Sequence, residues 1–79
     1  MNYNLWYAEA KKAIENLISV GQVFEVKDLF RGSKWNELSS GEKKSFGRYF
    51  SSQYNDGYLP MIKRIDEGKT HHNRYQKVC

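Results

Sequence analysis

The sequence has few of the features that mark secreted or membrane-spanning proteins. It contains one cysteine, the terminal Cys79, so no disulfide can form within the chain, which favours a reducing compartment. No apolar run approaches the roughly 20 residues that a transmembrane helix needs. The first residues also lack the basic segment and apolar segment of a secretory signal. We therefore expect a cytoplasmic protein without a membrane partner.

Residues that support catalysis or cofactor binding are equally scarce. His71, His72 and Cys79 are the only histidines and cysteine, and adjacent histidines point in different directions with no further ligands placed nearby. The Gly-Lys-Thr at residues 68–70 resembles part of a phosphate-binding loop. That loop needs another glycine five positions earlier, where Lys63 stands. No serine or cysteine has a plausible base. We expect no enzyme, no metal, no cofactor and no small-molecule substrate.

Aromatic rings and positive charge are what the sequence does supply. Aromatic residues make up 15% of the chain and hydrophobic residues 39%, enough for one small packed domain over residues 1–79. The net charge is +4 and the pI about 9.3. Such a basic domain is suited to polyanions, whose phosphates its summed charge attracts. An ordinary soluble protein can also carry this charge, and composition leaves both interpretations open.

The clearest local pattern covers residues 39–54. Ser39 and Glu42 have the spacing of a capping box, which begins a helix. The apolar residues that follow recur at helical spacing and predict one buried face: Phe46, Tyr49, Phe50 and Tyr54. Basic and hydroxyl side chains project from the other side: Lys43, Lys44, Arg48 and Ser51. The segment thus predicts a helix with an aromatic face and a basic face.

The remaining elements are predicted from periodicity and from turn residues. A helix over residues 3–20 ends at Gly21, and a short strand over 22–26 leads into a short helix over 27–30, which Arg31-Gly32-Ser33 breaks. Trp35 and Leu38 indicate one further helical turn. Strands over 61–66 and 74–78 form a hairpin around a polar loop at 67–73. In the first of these strands the side chains alternate, and which face is buried stays open.

This order predicts an α+β fold, a small winged helix-turn-helix-like domain of three helices plus a C-terminal β-hairpin. The short helix and the central helix would form the helix-turn-helix, and residues 67–73 the tip of the wing. The connection over residues 31–39 is longer than the usual turn of three or four residues.

Several short stretches resemble a family of short, uncharacterised proteins from low-GC Gram-positive bacteria and their phages. They are the strings FEVKDLF at 24–30, WNEL at 35–38, FGRYF at 46–50, GKT at 68–70 and NRY at 73–75. The resemblance spans about residues 22–78. It implies no catalytic residue, and it is compatible with a small regulator of phage or mobile-element origin.

We interpret the basic residues as a nucleic-acid-binding set that spans the central helix and the hairpin. Lysines would contact phosphates of double-stranded DNA, and Arg48 could contact guanine. The candidate residues are Lys43, Lys44, Arg48, Ser51, Lys69, His71 and Arg74. The alternative is a protein-protein interaction module, an inhibitor or adaptor that does not bind nucleic acid.

Overall fold

A computed structural model describes residues 2–65 and 74–79, and within them the fold is α+β. The elements follow the order α1, β1, a 3₁₀ helix, α2, α3, β2 and β3. Their bounds are Tyr3–Asn16 for α1, Val23–Glu25 for β1, Val26–Leu29 for the 3₁₀ helix, Gly32–Asn36 for α2, Ser40–Asn55 for α3, Ile62–Ile65 for β2 and Arg74–Lys77 for β3. The predicted loop at 67–73 lies outside the described residues.

The strands form an antiparallel sheet in the order β1-β3-β2. Pairing of β2 with β3 confirms the predicted hairpin. The participation of β1 as a third strand was not predicted, because its partner lies some fifty residues further along the chain and a strand of 3 residues carries little periodicity. Phe24, Tyr75 and Arg64 lie side by side across the three strands. Paired residues share a face of the sheet, so these three side chains point the same way.

Helix α1 is shorter than predicted: it ends at Asn16 and not near residue 20. The physical reason is Lys77, whose Nζ donates hydrogen bonds to the backbone oxygens of Ile14 at 2.9 Å and Ile18 at 3.0 Å. These bonds satisfy carbonyls at the end of the helix from β3. Gly21 has a φ of 90° and its N–H donates to the Lys77 oxygen at 2.7 Å, so the chain turns there into the sheet.

The segment between β1 and α3 corrects one prediction and refines another. The short helix expected over 27–30 is a 3₁₀ helix over Val26–Leu29. The short helix does end before Arg31-Gly32-Ser33, but the break consists of Phe30 and Arg31, which are extended, and α2 already begins at Gly32. The ring of Trp35 stacks on Phe30, with centroids 5.7 Å apart. That contact holds α2 against the core, so the long predicted connection contains a helix.

Helix α3 matches its prediction closely. The Glu42 N–H donates to Ser39 Oγ at 3.1 Å, and the Ser39 N–H donates to Glu42 Oε1 at 2.9 Å, which is the predicted capping box. Phe46 and Phe50 are fully buried. Four tyrosines, Tyr7, Tyr49, Tyr54 and Tyr75, are buried or half-buried, whereas Tyr3 and Tyr58 are exposed.

The core lies between α1, α3 and the inner face of the sheet. Its largest fully buried side chains are Tyr75, Phe24, Phe46, Phe50, Ile14 and Leu59. Each ring or branched side chain of this kind stabilises the fold by about 1.5–3 kcal/mol relative to exposure. The sequence left open which face of the first hairpin strand is buried. It is the face of Ile62 and Arg64, because Ile62 is buried and Arg64 half-buried, whereas Lys63 is exposed. Among the described residues, no helix has the length and apolar character that crossing a membrane requires.

Candidate nucleic-acid interface

One side of α3 forms the wall of an open groove. The residues that contribute are spaced three or four apart, so they lie on one stripe of the helix: Lys43, Lys44, Gly47, Arg48, Ser51, Ser52 and Asn55. At a rise of about 1.5 Å per residue, the stripe extends for roughly 18 Å along α3. A groove of this length is suited to an extended ligand.

The opposite wall and the floor come from other parts of the fold. Residues 25–27, at the junction of β1 and the 3₁₀ helix, face α3 together with Trp35 of α2, and Tyr75 of β3 lines the floor. The groove has a volume of about 670 Å³. Sites that hold ligands typically measure about 300–1,000 Å³. The volume of the groove and its mixture of apolar and cationic side chains are therefore both compatible with a binding site.

The cations on the α3 wall lack acidic partners. Within residues 2–65 and 74–79, no carboxylate lies within ion-pair distance of Lys43, Lys44 or Arg48. Two other lysines do have acidic partners: Lys27 pairs with Glu25 at 3.6 Å, and Lys34 pairs with a carboxylate of α1. Lys43, Lys44 and Arg48 thus line the groove without an ion pair among the described residues. Lys11, Lys12 and Lys63, elsewhere in the described part of the chain, also lack an ion pair, and the Glu25 carboxylate lies on the opposite wall of the groove.

Arg64 connects the hairpin to this helix face. Its guanidinium donates a hydrogen bond to the hydroxyl of Ser51, and its backbone N–H donates to the Tyr54 hydroxyl at 2.9 Å. The guanidinium also lies over the Tyr54 ring, 5.2 Å from the centroid, and near the Tyr75 ring at 5.9 Å. The base of the β2–β3 hairpin is therefore fixed beside the middle of α3.

The structure brings together four of the seven predicted binding residues. Lys43, Lys44, Arg48 and Ser51 all line the groove. Arg74 does not line it: its cross-strand neighbours are Glu25 and Ile65. By the alternation of side chains along β3, Arg74 belongs to the sheet face opposite that of Tyr75. Lys69 and His71 lie outside the described residues.

Other residues of the interface were not foreseen. Lys27 and Trp35 line the groove, and Arg64 supports it, yet none was in the predicted set. For Arg64 a signal existed, because it alternates with Ile62 and therefore shares a face with a candidate core residue. Lys27 and Trp35 had no such signal, since only the tertiary fold places them opposite α3.

Among the described residues, two ionisable groups have shifted pKa values, and both lie outside the groove lining. Hydrogen bonds from the backbone N–H and the hydroxyl of Ser39 lower the pKa of Glu42. Burial raises the pKa of Tyr7, and the nearby Tyr49 and Tyr58 add to that rise. Among the residues that the structure describes, no three His, Cys, Asp or Glu side chains are grouped so as to hold a metal ion.

Comparison with known families places the chain in a defined group. The family model for a domain of unknown function, DUF1413, matches residues 8–77, so the chain belongs to that family. The match begins within α1, whereas the resemblance noted in the sequence began at about residue 22. No curated protein and no solved structure matches the chain.

Proposed function

We propose that this member of the DUF1413 family is a non-enzymatic module that binds double-stranded DNA, in the manner of a winged-helix-like domain. It would act in the cytoplasm as a small regulator of the kind that phages and mobile elements carry. The single observation that carries the proposal is the row of unpaired cations, Lys43, Lys44 and Arg48, along one groove. Lines of uncompensated positive charge attract phosphate backbones.

The order of elements supports a winged-helix-like arrangement. A helix, a strand, further helices and a two-stranded hairpin follow one another, and the first strand pairs with the last. In such a domain, the helix before the hairpin enters the major groove, and the hairpin lies on the adjacent backbone. Here that helix is α3, and the Arg64–Ser51 hydrogen bond holds the hairpin beside it. Fold analogy alone does not establish function, so the charges on α3 remain the main argument.

The side chains suggest a division of roles. Lys43 and Lys44 would contact phosphates, which fix position without reading sequence. Arg48, whose planar guanidinium can bond the O6 and N7 atoms of guanine together, would supply base recognition. From the hairpin, Lys69 and His71 would add backbone contacts, whereas Arg74 lies on the sheet face opposite that of Tyr75 and would not take part.

The proposal is tested by fluorescence anisotropy with a labelled duplex of about 20 base pairs. We expect binding at ~50 mM salt and, for about four phosphate contacts, a loss of affinity of roughly 100-fold at ~200 mM salt. Absence of binding at the lower salt concentration would overturn the proposal.

Matched variants separate a specific interface from general positive charge. The double variant Lys44→Ala/Arg48→Ala removes two charges from the groove, and Lys11→Ala/Lys12→Ala removes two from α1, outside it. We expect the first variant to lose at least about 10-fold in affinity and the slope of log K against log salt to fall by about 1, because Lys44 is the member of the pair that contacts phosphate. The second should bind nearly as the wild type does. Equal losses in both variants would show that net charge, not this groove, causes binding.

A second candidate function, protein–protein interaction, is favoured by an exposed apolar edge. We use this name for Leu17, Val20, Val23 and Val78, which are 75%, 65%, 46% and 44% exposed. The bond from the Gly21 N–H to the Lys77 oxygen brings the two chain segments together. Under this alternative, Leu17→Ser/Val23→Thr would abolish capture of a native partner, and Lys44→Ala/Arg48→Ala would retain it. The opposite result would exclude the exposed apolar edge as the surface that binds the partner.

A further inference from the structure

Gly47 occupies the middle of α3, where glycine is unfavourable. In a helix interior, glycine is destabilising by about 1 kcal/mol relative to alanine. Nothing in the described part of the fold accounts for this choice, because a Cβ built at Gly47 would meet no atom of residues 2–65 and 74–79 within 4 Å, and the φ of this residue is not positive. The absent side chain therefore leaves open space in the groove wall and does not serve internal packing.

A second unusual feature lies at the floor of the groove, where a buried hydroxyl has no hydrogen-bond partner among the described residues. Tyr75 is completely buried and lines the groove, and its hydroxyl has no hydrogen-bond partner among the described residues. Buried polar groups are normally paired, and an unpaired one is destabilising. With an accessible area below 1 Å², this hydroxyl is closed off from the groove by neighbouring atoms, so a ligand in the groove does not reach it.

The charges around this point specify the ligand. Lys43 and Lys44 precede Gly47 by one turn and Arg48 follows it, while Glu25 and Lys27, which form an ion pair with each other, stand on the opposite wall. A group that is thin, anionic and part of an extended polymer fits these conditions, and a sugar–phosphate backbone is such a group.

We propose that the sugar–phosphate backbone of the bound DNA crosses α3 at Gly47, in van der Waals contact with the helix backbone. This inference rests on the proposed function and adds the place at which the DNA backbone comes closest to α3. Gly47 is then a binding residue because it lacks a side chain. Any side chain there would hold the strand away from the lysines and from the groove floor.

The test uses two glycine-to-alanine variants of α3. Gly47→Ala places a methyl group in the groove, whereas Gly41→Ala places one in the first turn, where its Cβ would lie an ordinary 3.9 Å from Ser39 Oγ and outside the groove. We expect Gly47→Ala to raise the Tm by about 4–8 °C, as ~1 kcal/mol does in a domain of this size. Its affinity for the 20-base-pair duplex should nevertheless fall by at least about 10-fold. Gly41→Ala should bind as the wild type does.

The opposing outcomes are distinct. If Gly47→Ala binds DNA as tightly as the wild type, or if its Tm falls, the inference is overturned, because the glycine is then dispensable for binding or required for folding. If the Gly47 inference fails in this way but Lys44→Ala/Arg48→Ala still loses affinity, the proposed DNA-binding function stands without the Gly47 contact. Failure of the wild type to bind duplex DNA would overturn both proposals together.

Discussion

Arg64 on β2 donates a hydrogen bond from its guanidinium to the hydroxyl of Ser51 on α3. The Arg64 side chain lies on the inner face of the sheet, over the rings of Tyr54 and Tyr75. Its Nε is buried without a partner, so the guanidinium is only partly satisfied by the protein. The hairpin and the proposed recognition helix therefore share this polar contact and the bond from the Arg64 backbone N–H to the Tyr54 hydroxyl, in an otherwise aromatic environment.

Removing either side of this contact should destabilise the domain measurably. In Ser51→Ala a half-buried guanidinium loses an acceptor, and we expect a loss of about 1–2 kcal/mol in the free energy of unfolding. Arg64→Met keeps much of the apolar stem and removes the charge. Urea unfolding of both single variants and the double variant should give a coupling energy of about 1 kcal/mol. Additive effects of the two substitutions would show that the contact contributes nothing.

The ammonium of Lys77 should be a stabilising cap for α1. It donates to the backbone oxygens of Ile14, Glu15 and Ile18, where the helix dipole is negative. We expect Lys77→Met to lower the free energy of unfolding by about 1–2 kcal/mol. Lys63→Met is the matched control, because Lys63 is an exposed strand lysine and has no such contacts. A control that loses as much stability as Lys77→Met would contradict the capping role.

Acid should weaken the start of α3 through Glu42. Because hydrogen bonds from Ser39 lower the pKa of Glu42 in the folded state below its ordinary value of 4.5, the carboxylate stabilises the fold above that pH. This contribution is lost as the pH falls through the folded-state pKa. We expect wild type to have a higher Tm than Glu42→Gln at pH 7 and the two to converge below pH ~4.5. The other carboxylates titrate in both proteins and so do not change the difference between their Tm values. A Tm difference that stays constant at every pH would therefore refute this assignment.

Helix α3 could be predicted from sequence because its determinants are local. Ser39 and Glu42 are three residues apart, and the rings of Phe46 and Phe50 follow at helical spacing, so no distant contact is needed to specify them. The end of α1 could not be predicted, because it depends on Lys77, which is 63 residues from Ile14. The pairing of β1 with β3 depends equally on distant residues.

The same distinction applies to the candidate interface. The basic stripe on α3 follows from helical periodicity, and its four predicted members do share the groove. The opposite wall at Lys27 and Trp35 follows from the packing of the 3₁₀ helix and α2, which short segments do not encode on their own. Arg64 was recognisable only as a charged residue on the same strand face as Ile62. Its role became clear from the contact with Ser51.

Trp35 offers a direct spectroscopic report on the groove. The protein has two tryptophans, so Trp6→Phe leaves Trp35 as the sole emitter. Trp35 lines the groove and is half-buried against Phe30, and bound DNA should therefore change its environment. We expect quenching or a spectral shift of Trp35 fluorescence that saturates at the same duplex concentration as the anisotropy signal.

The reciprocal variant provides the control for this measurement. In Trp35→Phe the remaining Trp6 packs between Phe30 and Phe46 and does not line the groove. Its emission should change little when duplex is added, because DNA on the α3 stripe would not contact it. A large Trp6 response, or an unchanged Trp35 signal while anisotropy reports saturation, would mean that DNA binds at another surface. Binding of the same affinity in both variants ensures that the two signals describe one complex.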